Sequence, residues 1–467
     1  MKLLFLLFLV PVLLWGNDPV PMFLYNPSHN SRTSIELYKE IEEVNRPINV
    51  DSDVDYVSVA DNGILYFLSR SKMYCANRRA EILWSKSIGN YGINNNPLIL
   101  ENGNVVFATW GDIFCFTNNG DSVWRFSYAG ECHSGITLNL NNRLVFGAAM
   151  GSSPRYLYCL NASTGQEIWK YLASNEILST PATDEVGNII FGTLDGYTYK
   201  LTPQGTLSWR VNIGGLLWSS PLIEVGTGNI YEGSDSGRMT ALDKDGNIRW
   251  RYSTGDLVRA HPNFNFDKTG VIFGSRDGYF RCVDKDTGEL KWSYYTGGLI
   301  EGGSVIEANG DIFFTDFNGY LHRLDKDGNK KSSYKISSTV SITVPAVDSN
   351  QYMYLGARSG TLIIFRFYDP TDISSYKISV PEYKTTSITP NPLRDKGRLK
   401  FNSKTTGNGN LYFYDLKGRK RVTNSFTVNK KGDNTIFFKT KLTEGIYFWE
   451  ATVNNEKIGS GKITVIY

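Results

Sequence analysis

Short runs of alternating apolar and polar residues, separated by glycine-rich turns, fill most of the chain up to Tyr368. One stretch shows the unit. Residues 220–223 predict a first strand, 228–231 a second and 239–242 a third, and a fourth strand carries Trp250. Alternation with a period of two, bounded by Gly, Pro and Asx residues, is typical of half-buried strands joined by tight turns. The pattern predicts four short antiparallel strands per unit and an all-β fold.

The unit repeats along the chain, and one large aromatic residue marks each copy. These residues lie 40, 45, 40, 41, 42 and 42 positions apart. They are Trp84, Trp124, Trp169, Trp209, Trp250, Trp292 and Tyr334. A period near 42 with four strands is that of a propeller blade. We expect each aromatic residue to pack one blade against the next.

The turn before the fourth strand, Asp243-Lys244-Asp245-Gly246-Asn247, has two interpretations. Its carboxylates are spaced like the start of a calcium loop, but such a loop needs further ligands and a distant Glu, which are not placed here. Equivalent turns keep the glycine while losing carboxylates, as in residues 203–205. Glycine supplies the positive φ and Asx side chains cap the turn. The repeat favours a hairpin and no metal.

Five cysteines are present, and none is adjacent to another. Cys75, Cys115, Cys159 and Cys282 occupy the position that Ala241 takes in its own unit. Equivalent positions of different blades lie too far apart for a disulfide. We therefore expect free, buried thiols.

Second strands begin near eight positions: Ile64, Val105, Leu144, Ile189, Ile230, Val271, Ile312 and Met353. This count predicts eight blades, with seven as the alternative. The last unit lacks a fourth strand, and residues 34–41 of the N-terminus are the candidate for it, with Tyr38 in the aromatic column. Closing a ring in this way removes an exposed sheet edge. The alternative for residues 34–44 is a short surface helix.

The units resemble pyrroloquinoline-quinone-type propeller repeats, most clearly in residues 159–169 and 282–292, and the resemblance covers residues 20–368. It implies a propeller fold. The family contains quinone-dependent dehydrogenases and the lipoprotein of the outer-membrane barrel-assembly machinery. The former usually place a vicinal Cys-Cys pair, or an equivalent polar ring, over the quinone, and the latter needs a lipidated cysteine. This chain has neither cysteine feature, so we expect no cofactor.

Residues 369–386 are polar, contain Pro370 and Pro381, and read as a linker. The tail that follows is β-patterned, and residues 385–467 carry 15 basic and 6 acidic residues. Residues 387–467 resemble the C-terminal sorting domain of the type IX secretion system. The resemblance implies a small Ig-like β-sandwich recognised by an outer-membrane translocon, with a generic adhesive module as the alternative. Its motif residues are Pro390, Asn391, Pro392, Asp415, Gly418, Arg419, Gly445, Tyr447 and Lys462.

The first 16 residues combine Lys2 with an apolar run too short to span a bilayer comfortably, which predicts a secretory signal. We see no later run long enough for a membrane span and expect an extracellular or outer-membrane surface location, reached through the periplasm. A formal net charge of +3 gives no argument for nucleic-acid binding.

Common catalytic motifs are missing from the sequence, and the four histidines do not pair at metal-ligand spacing. Candidate ligand contacts come from comparing the repeats just before each first strand, where the residue types differ while the frame persists. They are His133, Trp218, Arg259, His261 and Glu301. The alternative is varied loop filling. Enzymatic activity stays open; we favour a non-enzymatic protein that binds a protein or glycan, with a secreted quinone-dependent oxidoreductase as the alternative.

Overall fold

The computed structural model describes most of the chain as β-structure. The described residues are 31–44, 48–50, 52–54, 56–60, 62–89, 96–148, 154–336, 344–357, 360–368, 387–389, 396–403, 405–415, 419–439, 441–443, 445–454 and 456–465. They contain strands and no helix, which confirms the all-β prediction. The chain divides into two compact units, Met1–Asp369 and Pro370–Tyr467. The predicted signal segment 1–16 and linker 369–386 lie outside the described residues.

The first unit consists of short strands that follow one another in the chain. They are β1 (Glu40–Glu43), β2 (Ile48–Asn49), β3 (Val57–Val59), β4 (Ile64–Leu68), β5 (Lys72–Asn77), β6 (Ile82–Ser87), β7 (Leu98–Ile99), β8 (Val105–Thr109), β9 (Asp112–Phe116), β10 (Ser122–Ser127), β11 (Thr137–Asn139), β12 (Arg143–Ala148), β13 (Tyr156–Asn161), β14 (Glu167–Leu172), β15 (Ala182–Thr183), β16 (Ile189–Gly192), β17 (Tyr197–Leu201), β18 (Leu207–Asn212), β19 (Leu222–Ile223), β20 (Ile230–Ser234), β21 (Arg238–Leu242), β22 (Ile248–Ser253), β23 (Asn263–Phe264), β24 (Gly270–Gly274), β25 (Tyr279–Asp284), β26 (Leu290–Tyr295), β27 (Val305–Ile306), β28 (Ile312–Thr315), β29 (Tyr320–Leu324), β30 (Lys330–Lys335), β31 (Ala346–Asp348), β32 (Tyr352–Ala357) and β33 (Thr361–Tyr368).

Consecutive strands pair antiparallel into sheets of four: β3–β6, β7–β10, β11–β14, β15–β18, β19–β22, β23–β26 and β27–β30. A further sheet contains β31, β32 and β33 together with β1 and β2. The first three strands of a sheet are largely buried, as in β20, whereas the fourth alternates between more and less exposed positions, as in β18. The inner strands are apolar on both faces because each sheet is covered by a neighbour on either side, so the core lies between sheets.

The repeated tryptophans connect successive sheets through one recurring contact. In five of the six, the indole Nε1 donates to a carbonyl in the last hairpin turn of the next sheet, and in all six the turn's glycine lies against the ring. Trp209 shows the arrangement: its Nε1 is 3.0 Å from the carbonyl oxygen of Lys244, and a Cβ on Gly246 would come 2.8 Å from its ring. The same hydrogen bond is made by Trp84, Trp124, Trp169 and Trp250. Trp292 lies against Gly328 in the same way, and Tyr334 packs edge-on against Phe365 of the last sheet.

The small-residue column lies directly across the sheet from the tryptophans. Cys75 pairs with Trp84, Cys159 with Trp169 and Ala241 with Trp250. All five cysteines of the chain are buried and free, as expected.

The N-terminal segment supplies the outermost strand of the last sheet, but with different residues from those predicted. β1 pairs with β33 over Glu40–Glu43, so the predicted strand 34–41 is wrong in its bounds and the surface-helix alternative is wrong. Residues 36–38 are held by long-range hydrogen bonds instead. The Arg323 guanidinium donates to the carbonyls of Leu37 and Tyr38, and the Gln351 amide bonds the backbone of Glu36 and Tyr38. Tyr38 is 37% exposed, and among the described residues its side chain makes no sheet-to-sheet contact of the kind predicted for its column.

An ion pair links the first of these sheets to the last. Arg78, in the turn after β5, places Nε 2.5 Å from Oδ2 of Asp348 at the end of β31. The Tyr354 hydroxyl donates to the same carboxylate oxygen at 2.9 Å. Because Asp348 is buried, these bonds fix the two sheets against each other.

The second unit contains two antiparallel sheets. Its strands are β34 (Ser387–Thr389), β35 (Lys396–Ser403), β36 (Gly407–Tyr414), β37 (Lys420–Val428), β38 (Gly432–Lys439), β39 (Gly445–Val453) and β40 (Glu456–Val465). One sheet has the order β34-β35-β38 and the other β37-β36-β39-β40. Side chains from both sheets, including Leu399, Phe413 and Trp449, share one apolar cluster.

The sorting-motif residues take structural positions in this unit. Asp415 accepts hydrogen bonds from the Arg419 backbone and from the side chains of Arg419 and Arg421. Tyr447 is buried, with its hydroxyl 2.8 Å from that of Thr443. Gly445 begins β39, and Lys462 pairs in register with Phe448. Residues 390–392 and Gly418 lie outside the described residues.

Candidate functional site

Three of the five predicted contact residues meet at one edge of three successive sheets. Trp218, Arg259 and Glu301 lie in the segments that enter β19, β23 and β27. The turns between the second and third strands bring two further residues, Asp235 and Arg276, to the same edge. We call these five residues the rim cluster.

Backbone hydrogen bonds place the turns between neighbouring entry segments. The Asp235 N–H donates to the carbonyl of Leu216, in the entry segment of the same sheet, at 3.0 Å. The Val258 N–H, in the entry segment of the next sheet, donates to Ser234 at 3.1 Å. The following turn and entry segment repeat both bonds, so each turn tip lies beside the entry residue of the sheet that follows.

Ion pairs bind the rim cluster together. Arg259 and Asp235 form a bidentate pair, with Nε–Oδ1 at 2.8 Å and Nη2–Oδ2 at 2.6 Å. Arg259 Nη1 lies 3.9 Å from Oε1 of Glu301, which also accepts from Arg276. The Asp235 hydrogen bond raises the pKa of Arg259, in spite of partial burial, so this side chain stays cationic.

An aromatic ring supports the central arginine. The guanidinium carbon of Arg259 lies 4.8 Å from the ring centroid of Trp218, a cation–π distance. The indole Nε1 of Trp218 is buried and has no hydrogen-bond partner among the described residues. The arginine side chains are 24% and 30% exposed, against 11% and 9% for the carboxylates, so the guanidinium groups face solvent more than their partners do.

His133 takes the equivalent entry position in an earlier sheet but contacts other residues. Its Nε2 lies 3.0 Å from Oε2 of Glu131, and its ring centroid is 6.0 Å from that of Trp110. Trp110 is itself at a turn tip. The pairs Trp110–His133, Asp235–Arg259 and Arg276–Glu301 thus repeat one geometric relation with different chemistry.

His261 has a structural contact instead of a place in the cluster. Its Nδ1 accepts from the Ser220 N–H at 3.0 Å, and the residue is buried. Ser220 and Thr180 accept the corresponding bonds one and two sheets earlier: the Thr180 N–H donates to Ser220 Oγ, and the Gly135 N–H to Thr180 Oγ1. His261 therefore continues a chain of bonds that connects neighbouring entry segments.

Sequence comparison overlooked Asp235 and Arg276 because their turns were assigned a purely structural role. In the turn between the second and third strands, the residue that follows a Thr, Ser or Asp differs from repeat to repeat. These residues are Trp110, Leu194, Asp235, Arg276 and Phe317. Comparing this second column between repeats would have identified both residues.

Glu232, on β20, is a titratable residue outside the rim cluster. It is fully buried, its Oε2 accepts from Thr198 Oγ1 at 2.5 Å, and its Oε1 has no partner among the described residues. Burial raises the pKa of Glu232 to about 8, although the Thr198 hydrogen bond acts in the opposite direction. The cross-strand neighbour Thr240 is also buried and uncharged.

The donor groups do not fit a quinone with its calcium ion. No group of three or more His, Cys, Asp or Glu side chains in the described part of the chain is arranged to hold a metal. Asp235 and Glu301 already accept from arginines. The Asp243 turn is occupied as well: its carboxylate accepts from the backbone N–H groups of Asp245 and Asn247 and from the Asn247 amide, at 2.9 Å each.

Comparison with known proteins identifies the repeats. The PQQ-like repeat model described as "Outer membrane protein assembly factor BamB" matches residues 111–210 and 194–424. The chain belongs to this family. A second model, "Secretion system C-terminal sorting domain", matches residues 387–465. The two matches overlap over residues 387–424, and strand pairing assigns that overlap to the second unit, because β35 and β36 pair only with strands of the tail among the described residues.

Solved structures with a similar fold include a BamB protein and a dehydrogenase. BamB from Moraxella catarrhalis is 19% identical, with a TM-score of 0.56 over 70% of this chain and 98% of its own. Quinohemoprotein alcohol dehydrogenase from Comamonas testosteroni is 13% identical, with a TM-score of 0.64 over 77% and 85%. At these identities the likeness establishes the propeller-like fold alone.

One curated relative matches part of the PQQ-like chain. Tetrathionate hydrolase from Acidithiobacillus ferrooxidans is 26% identical over 166 residues. The match covers 34% of this chain and 28% of that relative.

The sorting domain indicates export by the type IX secretion system to the cell surface or the extracellular space. Among the described residues, the structure has no helix long and apolar enough to cross a membrane.

Proposed function

We propose that the chain is a non-enzymatic, surface-delivered eight-bladed propeller that binds a protein or glycan through the rim cluster. Eight sheets among the described residues and the Arg78–Asp348 pair between the first and the last support a closed ring. The tail is proposed as an Ig-like sandwich, supported by the two sheets that share one apolar cluster. In this account the tail delivers the propeller and no cofactor is required.

The rim cluster carries the proposal. Its acidic groups are engaged by arginines, so neither carboxylate is available as a metal ligand or general base, while both arginines keep exposed surface. Arg and Trp residues dominate the energetics of binding surfaces because they combine apolar area with directed hydrogen bonds. The arrangement favours recognition over catalysis. For the alternative, a quinone-dependent oxidoreductase, the described residues offer no set of side chains that would hold the quinone's calcium ion.

Binding of the labelled full-length protein to outer-membrane vesicles of the producing bacterium tests the proposal. Arg259→Ala should weaken this binding by at least about tenfold, the effect of a residue that contributes over about 1.4 kcal/mol. Arg249→Ala is the matched control, because Arg249 is also paired with an aspartate, Asp286, and its side chain is similarly exposed at 26%. Equal binding by both variants would refute the rim as the binding site.

A further inference from the structure

Three exposed tyrosines lie beside the rim cluster, on the sheets that carry Arg276 and Glu301. Tyr279 begins β25, Tyr295 ends β26 and Tyr320 begins β29. They are 37%, 61% and 36% exposed. Their hydroxyl groups have no hydrogen-bond partner among the described residues. Exposed tyrosines on adjoining sheets form an extended surface that presents both apolar rings and polar tips.

Close contacts connect these tyrosines. Tyr279 and Tyr295 are cross-strand partners with ring centroids 4.7 Å apart. A Cβ on Gly278 would lie 3.1 Å from the Tyr295 ring and 3.6 Å from the carbonyl oxygen of Gly298. A Cβ on Gly298 would in turn lie 3.0 Å from the Asn318 side chain. Glycines thus bring the backbone close to Tyr295 and Asn318 and connect the two sheets.

A polar amide and a lysine complete this surface. Asn318 is exposed, and its side-chain amide has no hydrogen-bond partner among the described residues. Lys335 donates to the backbone carbonyl of Asn318, and its Nζ lies 4.6 Å from the Tyr320 ring centroid. We call Tyr279, Tyr295, Asn318 and Tyr320 the tyrosine shelf.

Charges around the shelf are already paired. Arg281 beneath Tyr279 is bidentate to Asp277, at 2.8 and 2.7 Å. Asp316 is buried and 3.0 Å from His322. Lys335 is a second cation in contact with the shelf, and it is already engaged by the Asn318 backbone carbonyl and the Tyr320 ring. An anionic polymer would therefore meet no unpaired cation among these groups. A neutral polyhydroxylated ligand, in contrast, can pack on the tyrosine rings and hydrogen-bond to the tyrosine hydroxyl groups and the Asn318 amide.

We infer that the tyrosine shelf binds a neutral saccharide chain, with sugar rings against Tyr295 and Tyr279 and sugar hydroxyl groups on Asn318. This inference rests on the proposed binding function and names its ligand class. Because the shelf adjoins Arg276 and Glu301, a chain bound there would extend towards the rim cluster.

Calorimetric titration of the full-length protein with cellohexaose, maltohexaose, mannohexaose and xylohexaose tests the inference. At least one should bind with a Kd of about 1 mM or tighter, and Tyr295→Ala should weaken that binding at least about tenfold. Tyr295→Phe, which keeps the ring, should retain most of the affinity. Tyr197→Ala is the control, because Tyr197 begins β17 in another sheet and its cross-strand partner is Asn212. Thermal melting of each variant verifies the fold.

Binding by none of the four oligosaccharides, or binding that Tyr295→Ala leaves unchanged, would overturn the inference. A second outcome would also overturn it: Tyr295→Ala weakens binding to vesicles, and protease treatment of the vesicles abolishes binding of the wild-type protein. The ligand would then be a protein and the saccharide class would be wrong. The rim proposal is judged separately, by Arg259→Ala on vesicles. It stands if that variant loses vesicle binding while no oligosaccharide binds.

Discussion

Replacing Gly246 with alanine tests how the sheets are held together. Gly246 lies in the Asp243–Asn247 turn with φ at 87°, in the left-handed region, and its missing side chain leaves room for the Trp209 indole of the preceding sheet. A Cβ there would lie 2.8 and 3.0 Å from two ring carbons. The indole cannot move away without losing its hydrogen bond to Lys244.

Two terms set the size of the effect. A non-glycine residue in the left-handed region costs about 1–2 kcal/mol, of which about 0.4–1 kcal/mol is offset by the stiffer unfolded chain. Overpacking against the indole adds about 1–3 kcal/mol. Gly246→Ala should therefore lower the free energy of unfolding by about 1–4.6 kcal/mol.

Gly103→Ala isolates the backbone term. Gly103 has φ at 81°, and nothing lies within 4 Å of its Cβ position. Its replacement by alanine should lower the free energy of unfolding by about 1.6 kcal/mol or less. Equilibrium unfolding in denaturant measures both variants. In a Trp209→Ala background the two costs should become equal within about 0.5 kcal/mol. The indole contact is refuted if Gly246→Ala is no worse than Gly103→Ala in the wild-type background.

Three further perturbations test other parts of the structure. Burial raises the pKa of Glu232 from its ordinary value of 4.5 to about 8, so between these pH values the folded state keeps a proton that the unfolded state loses. The free energy of unfolding should therefore fall as the pH rises through this window, by at most about 1.4 kcal/mol per pH unit. Glu232→Gln should flatten that fall in a pH series of unfolding free energies, and an unchanged slope would contradict it. The double variant Asp243→Ala, Asp245→Asn should lower the free energy of unfolding by about 1–2 kcal/mol, and calcium should not alter the melting temperature of the wild type. A calcium-dependent rise in melting temperature that the variant loses would mean that the turn binds metal. Deleting residues 31–44 should expose the edge of β33 and cause aggregation or proteolysis near the last sheet; a monomeric, protease-resistant product would show that β1 is dispensable.

The repeats were predictable because local signals suffice for them. A tryptophan column, a small residue opposite it and a glycine turn recur at a nearly constant interval, and each has a local role in strand pairing or turn geometry. The N-terminal strand was misplaced for the opposite reason. Ile35 and Leu37 alternate like a strand and are buried. Their backbone carbonyls, however, accept hydrogen bonds from the Ala308 N–H and the Arg323 guanidinium, which lie far along the chain.

The candidate site was only partly predictable from the sequence. Variation between repeats indicated Trp218, Arg259 and Glu301, which the structure brings together. The same variation also indicated His261, whose bond to the Ser220 N–H is long-range and leaves no local signal. Asp235 escaped notice because its turn already had a structural explanation.

Titration of the purified full-length protein with pyrroloquinoline quinone and calcium tests the central claim most directly, since that claim separates a binding protein from a quinone-dependent oxidoreductase. Equilibrium dialysis measures quinone uptake, and reduction of an artificial electron-acceptor dye with an alcohol as substrate measures turnover. We predict no saturable quinone binding and no alcohol-dependent dye reduction. Stoichiometric uptake of the quinone, accompanied by dye reduction that stops when calcium is chelated, would contradict the account.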